Sequence, residues 1–461
     1  MSQSSLLLLS GMTQALSLMM SILFISYMTT IVIPYLRYRP TPTGDPHAFT
    51  WHFLVPCRDE EAVITHTIHY LRETFPQCHV WVIDDASDDQ TAELVRSQQR
   101  NGGDVDGHIH LVERVRPDAR IGKGPALNAA YRELKRFLGD ADPARQLVAV
   151  VDADGRPSPN NFEVCSGPTM FGDPKVGAVQ VDVHMMNRGI PKPGTKGLRK
   201  WFGLYMARMQ DLEFRTALCA IQLARKYTGT IAMGGNGQYT RMSALNSIAG
   251  DTDSPWGGSL LEDFELGVHL LIAGWKTTHS RDAWVSQEAV YSLRRFLTQR
   301  TRWGQGTMQC WRYLPVIWNS RHVSTMGATE MMYYLMQPWM QLVGTLIFPI
   351  PFVVIGVHAV ENPADTWLWF TSGAWVLFVM YLVFGMLPFV IWGPIYWRRC
   401  ERDIGPLRGI MLGLGYWLYV YNFYLTSWRA VYRIIRGRNG WAKTRRNKEI
   451  VAKGAAVALE S

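Results

Sequence analysis

Residues 147–155 read LVAVVDADG. An apolar run ends abruptly in Asp152 and Asp154, one residue apart. A short apolar run closed by a turn is the pattern of a buried strand. In an open α/β sheet, ligands bind just past the carboxyl ends of such strands. Two carboxylates there can hold a divalent cation, and the cation can hold a diphosphate. A lone D-x-D pair is equally compatible with solvated turn aspartates, so the flanking segments decide its meaning.

Working outward, apolar runs alternate with helical patterns. Strands are expected at 52–56, 79–83, 108–113, 147–151 and 176–183, with helices at 60–74, 91–99 and 123–138. This rhythm indicates a parallel, doubly wound α/β sheet. Acids follow the strands: Glu60 after the first, Asp84 and Asp85 after the second, Asp152 and Asp154 after the fourth. Residues 120–128, RIGKGPALN, place glycines around Lys123 at a helix start, where backbone can approach a phosphate. The spacing is not that of a Walker motif. Residues 233–238, MGGNGQ, form a second glycine turn carrying Gly235 and Asn236. Glu262 and Asp263 open a helical pattern at 260–275; they suit helix-dipole stabilisation or general-base work.

The chain has 461 residues, a formal charge of +9, 18 Trp and 48% hydrophobic residues. Its near-neutral mean hydropathy averages a polar middle with very apolar ends. Residues 15–36 are uncharged and long enough to cross a bilayer; Arg37 and Arg39 follow and orient the next segment to the cytoplasm. Further spans are expected at 331–357, 366–392 and 410–428. Three spans would leave the basic tail outside, so either one segment is interfacial, re-entrant or broken in two, or the charge rule fails here; 331–341, which contains Gln337-Pro338, is the candidate interfacial helix. The stretch 196–226 alternates Trp and Leu with Lys and Arg, as membrane-surface helices do, the alternative being a helix packed on the domain. Positive charge gathers near these segments and in the tail, which points to a lipid bilayer and away from nucleic acid. Six scattered cysteines without C-x-x-C spacing predict free thiols in a reducing compartment, with neither a zinc site nor disulfides.

The order of these pieces resembles the family 2 glycosyltransferases, specifically the membrane-embedded processive synthases of cellulose, chitin, hyaluronan and poly-N-acetylglucosamine. The motifs that carry the resemblance are VPCRDEE, DDASDDQT, GKGPALN, VDADG, GGNGQYTR, LLEDFELG and QRTRW, with WAKT at 441–444. Asp59 stands where many relatives have Asn, and Leu261 where cellulose synthases have Thr. The resemblance implies a Rossmann-like GT-A domain fused to transmembrane and interfacial helices. The expected divisions are an anchor at 1–40, the GT-A domain at 50–290, an interfacial Q-x-x-R-W helix at 291–330, channel-forming helices at 331–432 and a basic cytosolic tail at 433–461.

It further implies inverting transfer from a UDP-sugar to a growing polysaccharide, coupled to export, with accessory secretion proteins as partners. The cofactor would be Mg²⁺ or Mn²⁺, held by Asp154 with Asp152 in support. By motif position Asp263 is the catalytic base, and Glu262, catalytic beside it, orients the site or pairs with a basic residue. Glu60, Asp84, Asp85, Lys123, Asp152 and Arg302 would contact the nucleotide. Gly235, Asn236, Gln299 and Trp303 would contact the acceptor. A multi-pass protein of a bacterial-type inner membrane, its catalytic domain in the cytoplasm, is the expected setting. The alternative is a non-processive enzyme adding one sugar to a membrane lipid. The full set of acids, with Lys123, Arg302 and Trp303, disfavours a degenerate transport or scaffolding protein.

Overall fold

The computed structural model describes residues 3–100 and 107–438; most of the basic tail, including 441–444, lies outside them. Among the described residues eight strands form one sheet: β1 (Thr50–Cys57), β2 (His79–Asp84), β3 (Ile109–Glu113), β4 (Gln146–Val150), β5 (Arg156–Pro157), β6 (Val176–Met185), β7 (Gln238–Arg241) and β8 (Lys276–Gln287). Their order is β3-β2-β1-β4-β7-β6-β8-β5. The first four are parallel, with His52 opposite His79 and Thr50 opposite Gln146. β4 is buried at every position, as its unbroken apolar run requires.

The wholly parallel sheet expected from the sequence is broken at two strands, β7 and β5, while β6 and β8 again pair in parallel. β7 runs antiparallel to both β4 and β6, and β5 antiparallel to β8. A glycine turn leads into β7. Gly237 has φ +73° and bridges its neighbours, donating to Val150 O at 3.0 Å and accepting from Val181 N at 3.0 Å. β7 reads QYTR, which has no apolar run to announce a central strand.

The sheet buries both faces. On one, Trp51 stacks on Phe162 at 4.1 Å, among Phe53, Phe75 and Tyr239. On the other, Leu54, Val148 and Val150 meet Leu127, Tyr131 and Leu134. The latter three lie on helix Lys123–Leu138, whose apolar residues recur at helical spacing. Each such side chain contributes roughly 1.5–3 kcal/mol on burial. Gly124 allows this helix its position: a Cβ there would stand 2.3 Å from Gly257 O.

Among the described residues one helix is long and apolar enough to cross a membrane, at Ala15–Leu36. Its end is fastened to the domain by Tyr35, which donates to Arg215 O at 2.8 Å. Tyr38 just beyond donates to Asp282 Oδ2 at 2.6 Å. The other expected spans are interrupted. Residues 331–357 divide between helices Thr325–Ile347 and Pro349–Glu361. Residues 366–392 are broken by π turns at Phe370–Ala374 and Leu382–Met386. Residues 410–428 divide between Pro406–Val420 and Asn422–Ile435.

The stretch 196–226 combines an exposed apolar start with an inward-turned charged part. It folds as Gly197–Leu212, a π segment Glu213–Leu218, and Cys219–Thr228. Leu198 and Trp201 are exposed, but Arg208 and Arg215 turn inward to Glu401, and Arg215 also to Asp211. Charge pairing across the chain, invisible to local periodicity, sets this packing.

Candidate active site

The strand ends, the two glycine turns and helices Glu262–Ile272 and Leu293–Gln309 surround one cavity of about 1890 Å³. Lys123 lines it. Its Nζ donates to Asp152 Oδ1 at 2.7 Å and to Gly235 O at 2.8 Å. The charges of Asp152, Glu262 and Asp263 raise the lysine pKa against the effect of its burial. Gly235 passes so close that a Cβ would lie 3.0 Å from Lys123 Nζ and 3.2 Å from Asp263 Oδ2. Three motifs distant in sequence therefore meet within hydrogen-bonding range.

Glu262 and Asp263 begin their helix, so the dipole reading of the sequence also holds; Asp263 Oδ1 accepts from Phe264 N at 2.7 Å. Burial, with Asp263 alongside, pushes the Glu262 carboxyl up to about 7, and burial raises Asp263 as well. Lys123 opposes both shifts, and Arg302 that of Glu262.

Gln299, Arg302 and Trp303 line the same cavity from helix Leu293–Gln309, as do Glu60 and Asp85 from the strand ends. Asp85 is held by Arg114, and its Oδ2 accepts from Arg120 N at 3.0 Å. Asp84 and Asp154 are not among the lining residues. Asp84 Oδ2 accepts from Ser87 N at 3.1 Å and fastens its own turn, while burial raises its pKa. Asp154 Oδ2 accepts from Glu288 N at 3.1 Å beside the cavity wall. Asn236 joins the two turns: its Oδ1 accepts from Asp152 N at 3.2 Å and its Nδ2 donates to Gln287 Oε1 at 2.8 Å. Asp152, Asp154 and the neighbouring Glu288 each offer carboxylate oxygen, the donor type that suits a hard cation such as Mg²⁺ or Mn²⁺.

Several supporting residues carry no local sequence signal. Gln180 on β6 holds the glycine turn, accepting from Gly234 N at 2.7 Å and donating to Asn236 O at 2.9 Å. Arg300, inside the Q-x-x-R-W run, turns away from solvent and pairs with Glu213 at 2.9 Å and 2.5 Å. Its guanidinium lies 4.3 Å from the Trp303 ring centroid and fixes that indole. Tyr419 donates to Glu213 Oε2 at 2.7 Å and completes the buried group. The partners lie 87 and 206 positions apart, beyond any spacing rule.

The family described as "Glycosyltransferase like family 2" matches residues 48–306, more than half of the chain. The chain belongs to glycosyltransferase family 2. Among its relatives is the beta-monoglucosyldiacylglycerol synthase of Synechocystis sp., 27% identical over 297 residues, covering 61% of this chain and 55% of that protein. A probable glucomannan 4-beta-mannosyltransferase 3 of Arabidopsis thaliana is 25% identical over 261 residues, covering 55% of this chain and 41% of that protein. The chain thus spans about half the length of these curated relatives. A mannosyltransferase from Pyrobaculum calidifontis, solved with GDP-Man and Mn²⁺, shares the fold with a TM-score of 0.52 at 16% identity. That match covers 90% of this chain and 98% of the other. This family 2 member thus has the GT-A domain that its motifs imply.

Proposed function

We propose that this protein transfers a sugar from a UDP-sugar to the end of a growing polysaccharide, with inversion, and passes the product across the membrane. The observation that carries the reading is the single cavity shared by Asp152, Lys123, Asp263 and the Q-x-x-R-W residues. At about 1890 Å³ it exceeds the range of about 300–1,000 Å³ typical of one small ligand, leaving room for donor and acceptor together.

In this reading the acceptor hydroxyl oxygen bonds to the anomeric carbon as the bond to the diphosphate breaks. The electron pair leaves with the nucleoside diphosphate, and the hydroxyl proton passes to the Asp263 carboxylate. Lys123 and Arg302 place positive charge beside the departing phosphates. Mg²⁺ or Mn²⁺ held by Asp152 and Asp154 would neutralise the charge that develops there. Glu60, Asp84 and Asp85 serve the nucleotide side. Trp303 offers a flat surface to an acceptor ring, Gln299 a hydrogen bond, and Gly235 and Asn236 the turn beneath it. Glu262 beside Asp263 orients the site or pairs with a basic residue. Residues 1–40, 50–290, 291–330, 331–432 and 433–461 serve as anchor, catalytic domain, interfacial helix, channel and cytosolic tail of a multi-pass inner-membrane protein.

One observation favours a second reading, a single transfer to a membrane lipid. The cavity is also lined by Phe348, Phe352, Met380, Phe384 and Phe389, which suit an acyl chain. The test is nucleoside diphosphate release by the full chain in lipid, with Mn²⁺ or Mg²⁺, over a panel of nucleotide sugars, with products sized. A high-mass product supports the polysaccharide reading, and a short lipid-soluble one the second. No release from any donor, with Asp263→Asn indistinguishable from the parent, overturns both.

A further inference from the structure

Asp182, Cys219 and His279 reach one point from three elements: β6, the first residue of helix Cys219–Thr228, and β8. Their ligating atoms all lie within 4.8 Å of one another, and all three side chains are buried. His279 Nε2 stands 3.4 Å from Asp182 Oδ1 and 3.9 Å from Cys219 Sγ. Its other nitrogen, Nδ1, is 2.9 Å from the carbonyl of Gln180. A carbonyl only accepts, so Nδ1 carries the hydrogen and Nε2 presents its lone pair to the other two groups. An imidazole oriented through a backbone carbonyl is the usual outer support of a metal-binding histidine.

We propose that these three residues bind a zinc-class divalent cation, at a site separate from the Asp152–Asp154 pair. Tetrahedral zinc with ordinary bond lengths sets its ligand atoms about 3.3–3.6 Å apart, so small side-chain adjustments close the sphere. Sulfur, nitrogen and oxygen together favour zinc over the hard cations that an all-carboxylate set attracts. A thiolate and a carboxylate supply two negative charges against the cation's two. All three residues line the cavity, so the fourth position faces it, open to water or an acceptor hydroxyl. The site also bears on the reaction centre: Gln180, which orients His279, holds the turn of Gly235 and Asn236 through its side chain. Sequence spacing predicts no zinc site because the ligands are 37 and 60 positions apart.

Elemental analysis of the purified full chain, after dialysis against a weak chelator, is expected to find stoichiometric zinc. Replacing it with cobalt(II) is expected to give intense visible bands of a tetrahedral site and a near-ultraviolet thiolate-to-cobalt band. In Cys219→Ser the thiolate band disappears, and affinity falls by more than the roughly 10–100-fold cost of losing an outer partner. A parent protein with no retained zinc and no thiolate band overturns the proposal, whether or not the variant folds. So does a thiolate band that persists in Cys219→Ser.

Discussion

Lys123 and Asp152 form an ion pair of 2.7 Å in which the lysine side chain keeps 11% of its exposure and the aspartate 30%. The same ammonium reaches Gly235 O, and its charge acts on both Glu262 and Asp263. One cation therefore joins the D-x-D strand end, the glycine turn and the acid pair.

Lys123→Met leaves Asp152, Glu262 and Asp263 without their central counter-charge. Truncating one partner of a buried, hydrogen-bonded charge pair costs about 2–5 kcal/mol. Initial-rate kinetics on the donor are expected to show kcat/KM lowered by a factor of about 30 or more. An unchanged kcat/KM would remove Lys123 from the reaction centre.

Gly235→Ala places a methyl group 3.0 Å from Lys123 Nζ and 3.2 Å from Asp263 Oδ2. The lysine end can move, so the fold loses only about 1 kcal/mol. Turnover falls at least about tenfold, because displacement of either group spoils a close alignment. Thermal melting beside kcat separates the two effects.

Burial raises the Glu262 carboxyl to about 7, above its unfolded value near 4.5. The folded state then holds the proton more tightly than the unfolded state. This contribution to stability is fully present below about pH 4.5 and is lost as pH rises through about 7. Glu262→Gln does not titrate, so the pH dependence of its melting temperature between about 4.5 and 7 is expected to flatten relative to the parent. Parallel melting curves across that window would contradict the assignment.

Asp154→Asn keeps the size of the side chain but weakens the hard-cation donor set beside Glu288. Activity is expected to drop by about 10²-fold or more, with a higher Mn²⁺ or Mg²⁺ concentration needed for half-maximal rate. Rate measured against metal concentration checks both.

Arg300→Met strands the buried Glu213 carboxylate, at a cost of about 3–5 kcal/mol. The double variant Arg300→Met, Glu213→Leu removes both charges and should recover most of that loss. Thermal melts of the three proteins in one detergent test the prediction; equal losses in single and double variants would refute it.

The sequence alone determined the parallel strands β1–β4, because an unbroken apolar run such as 147–151, alternating with helices, is the usual mark of a parallel strand buried on both faces. Helix Lys123–Leu138 was legible at both ends: Gly122 precedes it, and Gly139 closes it at φ +51°. The motif residues Lys123, Asp152, Gly235, Glu262 and Asp263 were legible because each sits beside a turn or helix start that local pattern announces. The tertiary structure alone decided what depends on pairing across the chain. It placed β7 antiparallel at the centre, turned Arg208 and Arg215 inward, interrupted the helices after residue 331, and set Arg300 on Glu213 under Trp303. It also gathered Asp182, Cys219 and His279. Periodicity reports which face of one element is buried; it holds no information on which distant side chain will meet that face, and buried charges and ligands are chosen by that meeting.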